Sequence, residues 1–398
     1  MSPLLPSINY NTVEGWNNTL ELALNKIKTS KDSSLQSYNE FDQFTSKDYF
    51  KLIGRYGLDS KKGYGKLIIG RNDELNQRNF ELQAEKYCYQ FNQSEPIYPI
   101  INTFYTLIAR ENYLKLYEKS AVSFSFSDVL VSGPQLKFKL EFANRSALVN
   151  HSYQFWPNKF ENKLTSNNTL NPTSNDPAFA SHQALILSTS GSYTFGERYE
   201  LIFGNYREPI GSRYPTIYWK AAQGIPIMNS KIGYTHTELG IGKSLKLGYW
   251  GKMNIDVIAG GFLNKSAMNF IDFKHFNGNQ TLILKNGTFE GEEDNNRKQL
   301  NAFNALDYYS LSTNSNYLEL HIQHRFLGIL TAKLPLINRL NLAEVAGFNA
   351  IYMPGRNYQE IFVGVDNLFK VIRLDFVASY KAGEKLIPQV RIGVKKAI

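Results

Sequence analysis

Val371-Ile372-Arg373-Leu374-Asp375-Phe376-Val377-Ala378-Ser379-Tyr380 is the stretch that decides the fold. Ile372, Leu374, Phe376, Ala378 and Tyr380 share one parity; Val371, Arg373, Asp375, Val377 and Ser379 share the other. Successive side chains of a strand point to opposite sides, so this segment is a ribbon with one apolar and one charged face. Gln389 to Lys395 repeats it, with Val390, Ile392 and Val394 alternating with Gln389, Arg391, Gly393 and Lys395. A soluble sheet can carry such a ribbon. Its recurrence, with no helical crossover between copies, points to a closed antiparallel transmembrane β-barrel, apolar toward lipid and polar toward the lumen.

Working outward, Leu136, Phe138, Leu140 and Phe142 alternate with Lys137, Lys139 and Glu141, and Arg145 follows on the charged parity. Val122, Phe124 and Phe126 alternate with Ser123, Ser125 and Ser127. Leu318, Leu320, Ile322 and Phe326 alternate with Glu319, His321, Gln323 and Arg325, and Met253, Ile255, Val257 and Ala259 with Lys252, Asn254 and Asp256. Phe50 to Tyr56, a turn at Asp59-Ser60-Lys61-Lys62, and Tyr64 to Arg71 read as a hairpin. Weaker alternation covers 14–27, 79–91, 183–195, 213–222, 234–246, 343–353 and 359–366. Together these are fifteen strands. Single-chain bacterial barrels have even counts, so the expectation is about 14–16 strands with one or two short helices. The helical candidates are Ile101 to Lys119, with Phe104, Leu107, Ile108, Leu114 and Tyr117 near helical spacing, and Gly328 to Leu340. The first carries Arg110, Glu111, Lys115, Glu118 and Lys119 and is expected to fold against the charged wall, partly occluding the lumen.

The 398-residue chain holds 25 Tyr and 26 Phe against 4 Trp, an excess that suits the aromatic girdles of a barrel. No uncharged apolar run reaches about 18 residues, which excludes a transmembrane helix. Cys88 is the one cysteine, so no intrachain disulfide forms. The net charge of +9 is scattered, with no basic stripe, which argues against nucleic acid as a partner. A lumen and anionic lipopolysaccharide explain it better. Met1-Ser-Pro-Leu-Leu-Pro6 has neither the basic region nor the apolar stretch of a signal peptide. Residues 1–398 are therefore expected to be one barrel domain, the C-terminal part of a longer precursor. Two long polar insertions, Ala147 to Ser181 and Lys265 to Asn314 (with Glu290-Gly-Glu-Glu-Asp294), are candidates for the cell-exposed face.

No catalytic, cofactor-binding or metal-ligating residue is assigned. Of the six histidines only His321 and His324 are close, and positions three apart on a strand face opposite sides. Gly240-Ile-Gly242-Lys243-Ser244 suggests a phosphate loop, but the required earlier glycine is Thr237 and the segment lies in an expected strand. Arg373 with Asp375, and Glu319 with His321 and Arg325, share faces. A lumenal acid–base pair or selectivity ring is one reading; a salt-bridge ladder along the wall is the favoured one.

Several segments resemble one family. They are Ile8-Asn-Tyr-Asn11-Thr-Val-Glu-Gly15-Trp16, Ile101-Asn-Thr-Phe104, Asn112-Tyr-Leu-Lys115-Leu-Tyr-Glu118-Lys119, Arg213-Tyr-Pro215-Thr, His324-Arg-Phe326-Leu-Gly328 with Lys333-Leu-Pro335-Leu, and Gly364-Val-Asp366-Asn367-Leu-Phe369-Lys-Val-Ile-Arg373-Leu-Asp375. In this order they resemble an uncharacterised outer-membrane barrel family of Bacteroidota-type bacteria. Its barrels follow a carboxypeptidase-regulatory-like β-sandwich. The resemblance implies an outer-membrane location and brings no catalytic residues. The 398 residues are expected to follow that sandwich in a longer precursor, and they end on Ile398 where many outer-membrane barrels end in an aromatic. The expected function is a non-enzymatic transport, assembly or docking component of the envelope. Its expected partners are outer-membrane lipid, lipopolysaccharide and other envelope proteins. The alternatives are a barrel-embedded hydrolase, for which His321 with Glu319 is the best available pair, and a secreted soluble glycan-binding β-protein.

Overall fold

The computed structural model describes residues 7–29, 45–73, 76–130, 133–152, 165–202, 206–286, 301–326, 328 and 342–396. The N-terminal Met1 to Pro6, the acidic run at Glu290 to Asp294 and nearly all of Gly328 to Leu340 lie outside these residues. The strands in chain order are β1 (Ser7–Asn11), β2 (Gly15–Thr29), β3 (Thr45–Gly57), β4 (Lys62–Asp73), β5 (Arg78–Gln90), β6 (Leu116–Val129), β7 (Gln135–Ala147), β8 (His182–Thr194), β9 (Arg198–Ile202), β10 (Tyr206–Gly211), β11 (Thr216–Gly224), β12 (Gly233–Lys246), β13 (Lys252–Ala267), β14 (Ile283–Asn286), β15 (Tyr317–Arg325), β16 (Ala343–Met353), β17 (Arg356–Leu368), β18 (Ile372–Lys381) and β19 (Ile387–Lys396). Helix α1 spans Pro99–Phe104.

The fold is all-β, built on one large antiparallel sheet of sixteen strands. β14 adds a parallel strand on β19, and β9 with β10 forms a separate hairpin. All fifteen strands expected from alternation are present. The strand that makes the count even is β1, paired with β2 from Ser7↔Thr19 to Asn11↔Gly15. Its five residues, with two asparagines, have too little β propensity and length to declare themselves; pairing makes them a strand.

By contacts the chain divides into two compact units. The first holds residues 1–91, 102–237 and 263–270, the second 92–101, 238–262 and 271–398. In the first, β1 to β8 pair each with the next and β11 pairs with β8, a meander without crossover. In the second, β13 pairs with β15, and β15 to β19 pair in succession.

The helical expectation for Ile101 to Lys119 needs correction. α1 starts at Pro99, runs on as a single π turn from Tyr105 to Ala109, and ends at Arg110 in a left-handed conformation (φ 59°). Leu116 already opens β6. The reason is local. The Asn102 carboxamide oxygen accepts the backbone N–H groups of Tyr113 and Leu114, both at 2.9 Å, and turns the chain back across the helix. The charges therefore lie beyond the helix, with Glu118 and Lys119 on β6. The helix buries its polar side, Asn102, Thr103 and Thr106, and exposes Ile100, Phe104 and Ile108.

Candidate functional site

The polar face of the strands is where chemistry concentrates. In the second unit, β15 carries Glu319 and His321, β16 carries Asn349, and β17 carries Tyr358 and Glu360, all on one face and all buried. Residues 271–282 and 301–313 fold onto this face. His321 lies with Nε2 2.9 Å from a Glu319 carboxylate oxygen and Nδ1 2.9 Å from Asn349 Oδ1. Asn349 donates its amide to Glu360 at 2.6 Å. Glu360 also accepts the Tyr358 hydroxyl (2.7 Å) and the backbone N–H groups of Asn304 (2.6 Å) and Ala305 (2.9 Å). Phe303 is fully buried with its ring 4.7 Å from that of His321 and 5.7 Å from that of Tyr358. Ala305 packs among Val345, Phe362 and Val377.

Lys274 completes the array from the segment after β13. Its ammonium lies 2.7 Å from Glu238 and 3.4 Å from Glu319. Burial alone would lower its pKa; the two carboxylates outweigh burial and raise it above the ordinary lysine value. Tyr317 donates its hydroxyl to Glu238 at 2.5 Å. Four donors on one carboxylate and two carboxylates on one ammonium are the arrangement that lets charges sit out of water.

The groups that share a face in the sequence meet only in part. Arg373 donates its Nε to both Asp375 oxygens (3.0 and 2.8 Å) and one Nη to Gln323 (3.2 Å). Arg325, expected beside Glu319 and His321, instead reaches Asp366 on β17 at 3.3 Å. His324 faces away from His321 and places Nε2 2.8 Å from the Trp250 carbonyl. Gly240 to Ser244 lie inside β12. One pair was invisible in sequence because its members are far apart: His275 Nδ1 lies 2.7 Å from Ser312 Oγ. That hydroxyl donates its only proton to the Tyr309 carbonyl at 2.9 Å, so the imidazole must donate to it. The geometry is the reverse of a base activating a nucleophile. Among the described residues no three His, Cys, Asp or Glu side chains are placed to hold a metal ion.

The first unit carries its own buried charges. Arg55 donates Nε to Glu14 at 2.8 Å and also bonds its other oxygen. Lys119 lies 3.1 Å from Glu85 and 2.9 Å from Glu141, with its ammonium 4.3 Å from the Tyr89 ring centre. Lys139 pairs with Glu141 at 2.8 Å. Above them the loops are tied by asparagines. Asn112 donates to Thr12 Oγ1 (2.8 Å), Thr12 donates to Asn150 (2.7 Å), and Asn167 donates to the carbonyls of Leu116 and Leu148 (both 2.7 Å). Lys115, half-buried in this knot and donating to the Ser166 carbonyl, has its pKa lowered to about 7 by burial.

The chain is similar in structure to BamA from Haemophilus ducreyi lacking POTRA domains 1–3, at 8% identity and a TM-score of 0.43, over 98% of this chain and 70% of that one. It is also similar to CdiB from Acinetobacter baumannii, at 10% identity and 0.39, over 95% of this chain and 55% of CdiB. A third similarity is to Wzi of Escherichia coli, an outer-membrane protein involved in group 1 capsule assembly and a carbohydrate-binding β-barrel, at 9% identity and 0.35, over 98% and 80%. No curated protein matches the chain. Residues 1–365 match the C-terminal domain of a family of unknown function, DUF5686, and the chain belongs to that family.

Proposed function

We propose that the chain forms a closed transmembrane barrel in a bacterial outer membrane and acts as a non-enzymatic transport, assembly or docking component of the envelope. The observation that carries this is the two-sidedness of the strands. On β7, Phe138, Leu140 and Phe142 are 43, 46 and 39% exposed, while Glu141 and Arg145 between and beside them are buried. β3, β5, β6, β17, β18 and β19 also present exposed large apolar residues on alternate positions: Leu52, Leu82, Phe124, Ile361, Phe376 and Val390 among them. So extensive an apolar face is untenable in water, and lipid is the solvent that suits it. Closure follows from the same solvent, because an open edge in hydrocarbon leaves backbone groups unpaired at several kcal/mol each. Exposed Tyr249, Trp250 and Phe369 in the turns after β12 and β17 fit an interfacial aromatic girdle.

The hydrolase alternative is disfavoured by the engagement of both His321 nitrogens with oxygen partners and by the proton direction at His275 and Ser312. The soluble glycan-binding alternative requires a detergent-free monomer. Lipid, lipopolysaccharide and other envelope proteins remain the partners this reading implies. The sequence resemblance extends it to Bacteroidota-type bacteria. The test is extraction and gel migration. The protein should require detergent, and unboiled samples should migrate differently from boiled ones. A water-soluble monomer without heat-modifiable migration overturns the reading.

A further inference from the structure

Near the β6–β7 turn, the polar face of the first unit has a row unlike the paired clusters above it. The strand registers Lys47↔Asn72, Asn72↔Asn79, Asn79↔Ser127, Ser127↔Lys137, Lys137↔Ser190 and Ser190↔Lys220 place one residue from each of seven strands in a single transverse line. The row reads Lys, Asn, Asn, Ser, Lys, Ser, Lys. It contains three cations, four neutral hydrogen-bonding groups and no carboxylate. Lys137 and Lys220 are exposed and Lys47 half-exposed. No described carboxylate forms an ion pair with any of the three.

The nearest acids on this face are committed elsewhere. Glu81, in the next row, accepts the Tyr49 hydroxyl at 3.0 Å. Glu141, one row further, is held by Lys119 and Lys139. Asp48 and Asp128 fall on the opposite parity and engage Arg71 (3.7 Å) and Arg78 (3.1 Å). Elsewhere on the same face lysines sit within 3.5 Å of carboxylates, as Lys66 and Lys119 do on Glu85. The contrast makes the open row a local excess of positive charge.

We infer that this row is a binding strip for soluble anions that carry phosphate or carboxylate groups, with Lys137 and Lys220 as its centre. One strand, β8, lies between these lysines, and the two inter-strand steps set them roughly 10 Å apart. Their flexible stems allow both ammonium groups to converge on one anion. Ser127 and Ser190 stand beside them with hydroxyls that can donate to its oxygens. Rows of Lys or Arg are the device by which pores favour anions. The strip lies on the face opposite Phe138, Leu140 and Phe142, which assigns a solute in water rather than a lipid headgroup. The inference rests on the barrel reading, since it takes that face as the wet one.

The test uses the full chain in detergent, titrated calorimetrically with inorganic tripolyphosphate. Saturable binding is expected, weakening steeply with added salt. Lys137→Gln with Lys220→Gln should weaken it at least tenfold. Lys137→Arg with Lys220→Arg should retain it, and Lys86→Gln, on the other face of β5, should leave it unchanged. Absence of saturable binding in a protein that still migrates heat-modifiably overturns the strip and leaves the barrel standing. So does equal binding by the double Gln variant. Loss of heat-modifiable migration in the unmutated chain is the separate failure of the barrel reading.

Discussion

Two residues make testable claims by themselves. Lys115 loses its proton near pH 7 in the folded chain and near its ordinary value of 10.5 when unfolded. Below about 7 both states hold the proton and stability is flat. Between the two values only the unfolded state holds it, so stability rises with pH and levels off above 10.5. Thermal midpoints measured from pH 6 to 10 should climb across that window, and Lys115→Met should flatten the climb. A midpoint that falls over the window contradicts the assignment. Glu360 is the second. Glu360→Ala strands the N–H groups of Asn304 and Ala305, at about 1–3 kcal/mol each. The 301–313 segment should become protease-sensitive, with Glu360→Gln intermediate. Neither residue was legible as special. Lys115 reads as one of the charges of the 101–119 segment, which says nothing of its burial beside the Ser166 carbonyl, and the partners of Glu360 at 304 and 305 are loop backbone, which carries no sequence signature.

At the scale of strands and turns the alternation of the longer strands was legible, because each has one apolar and one polar side and side-chain parity records which is which. The orientation of β7 follows. Leu140→Arg should destabilise by about 2–4 kcal/mol if it lies near the midplane, whereas Lys139→Arg should change little. Comparable losses from both would refute the assignment. What parity did not disclose is how strands fit each other. Gly347 stands opposite Phe362, and a Cβ at 347 would lie 2.2 Å from the ring's Cζ. Gly70 faces Tyr49 in the same way. The glycine is a seat for the aromatic across the ladder, a device seen in stable sheets. Gly347→Val should therefore expel the Phe362 ring, and Phe362→Ala should cost about 3–5 kcal/mol. The double variant should lose clearly less than the sum of the two, and strict additivity in denaturation would deny the pairing. β1, β14 and the β9–β10 hairpin were illegible because their four to six residues show no clean apolar/polar alternation.

For the molecule as a whole, the fold class could be read from the chain, since charge recurs at every other position of many strands. The site where residues 271–282 and 301–313 meet β15 to β17 could not. It joins positions from Glu238 to Glu360 through contacts no spacing reports. The sequence shows Lys265 to Asn314 as a polar insertion but not how it docks on the strands. That docking has a consequence in time. Glu360, Asn349 and His321 stand on three successive strands, so their pocket does not exist until β15, β16 and β17 have paired. Contacts so distant along the chain form late. During refolding into detergent, the sheet should therefore appear first, and protection of 301–313 from protease should lag behind it as a second, slower phase.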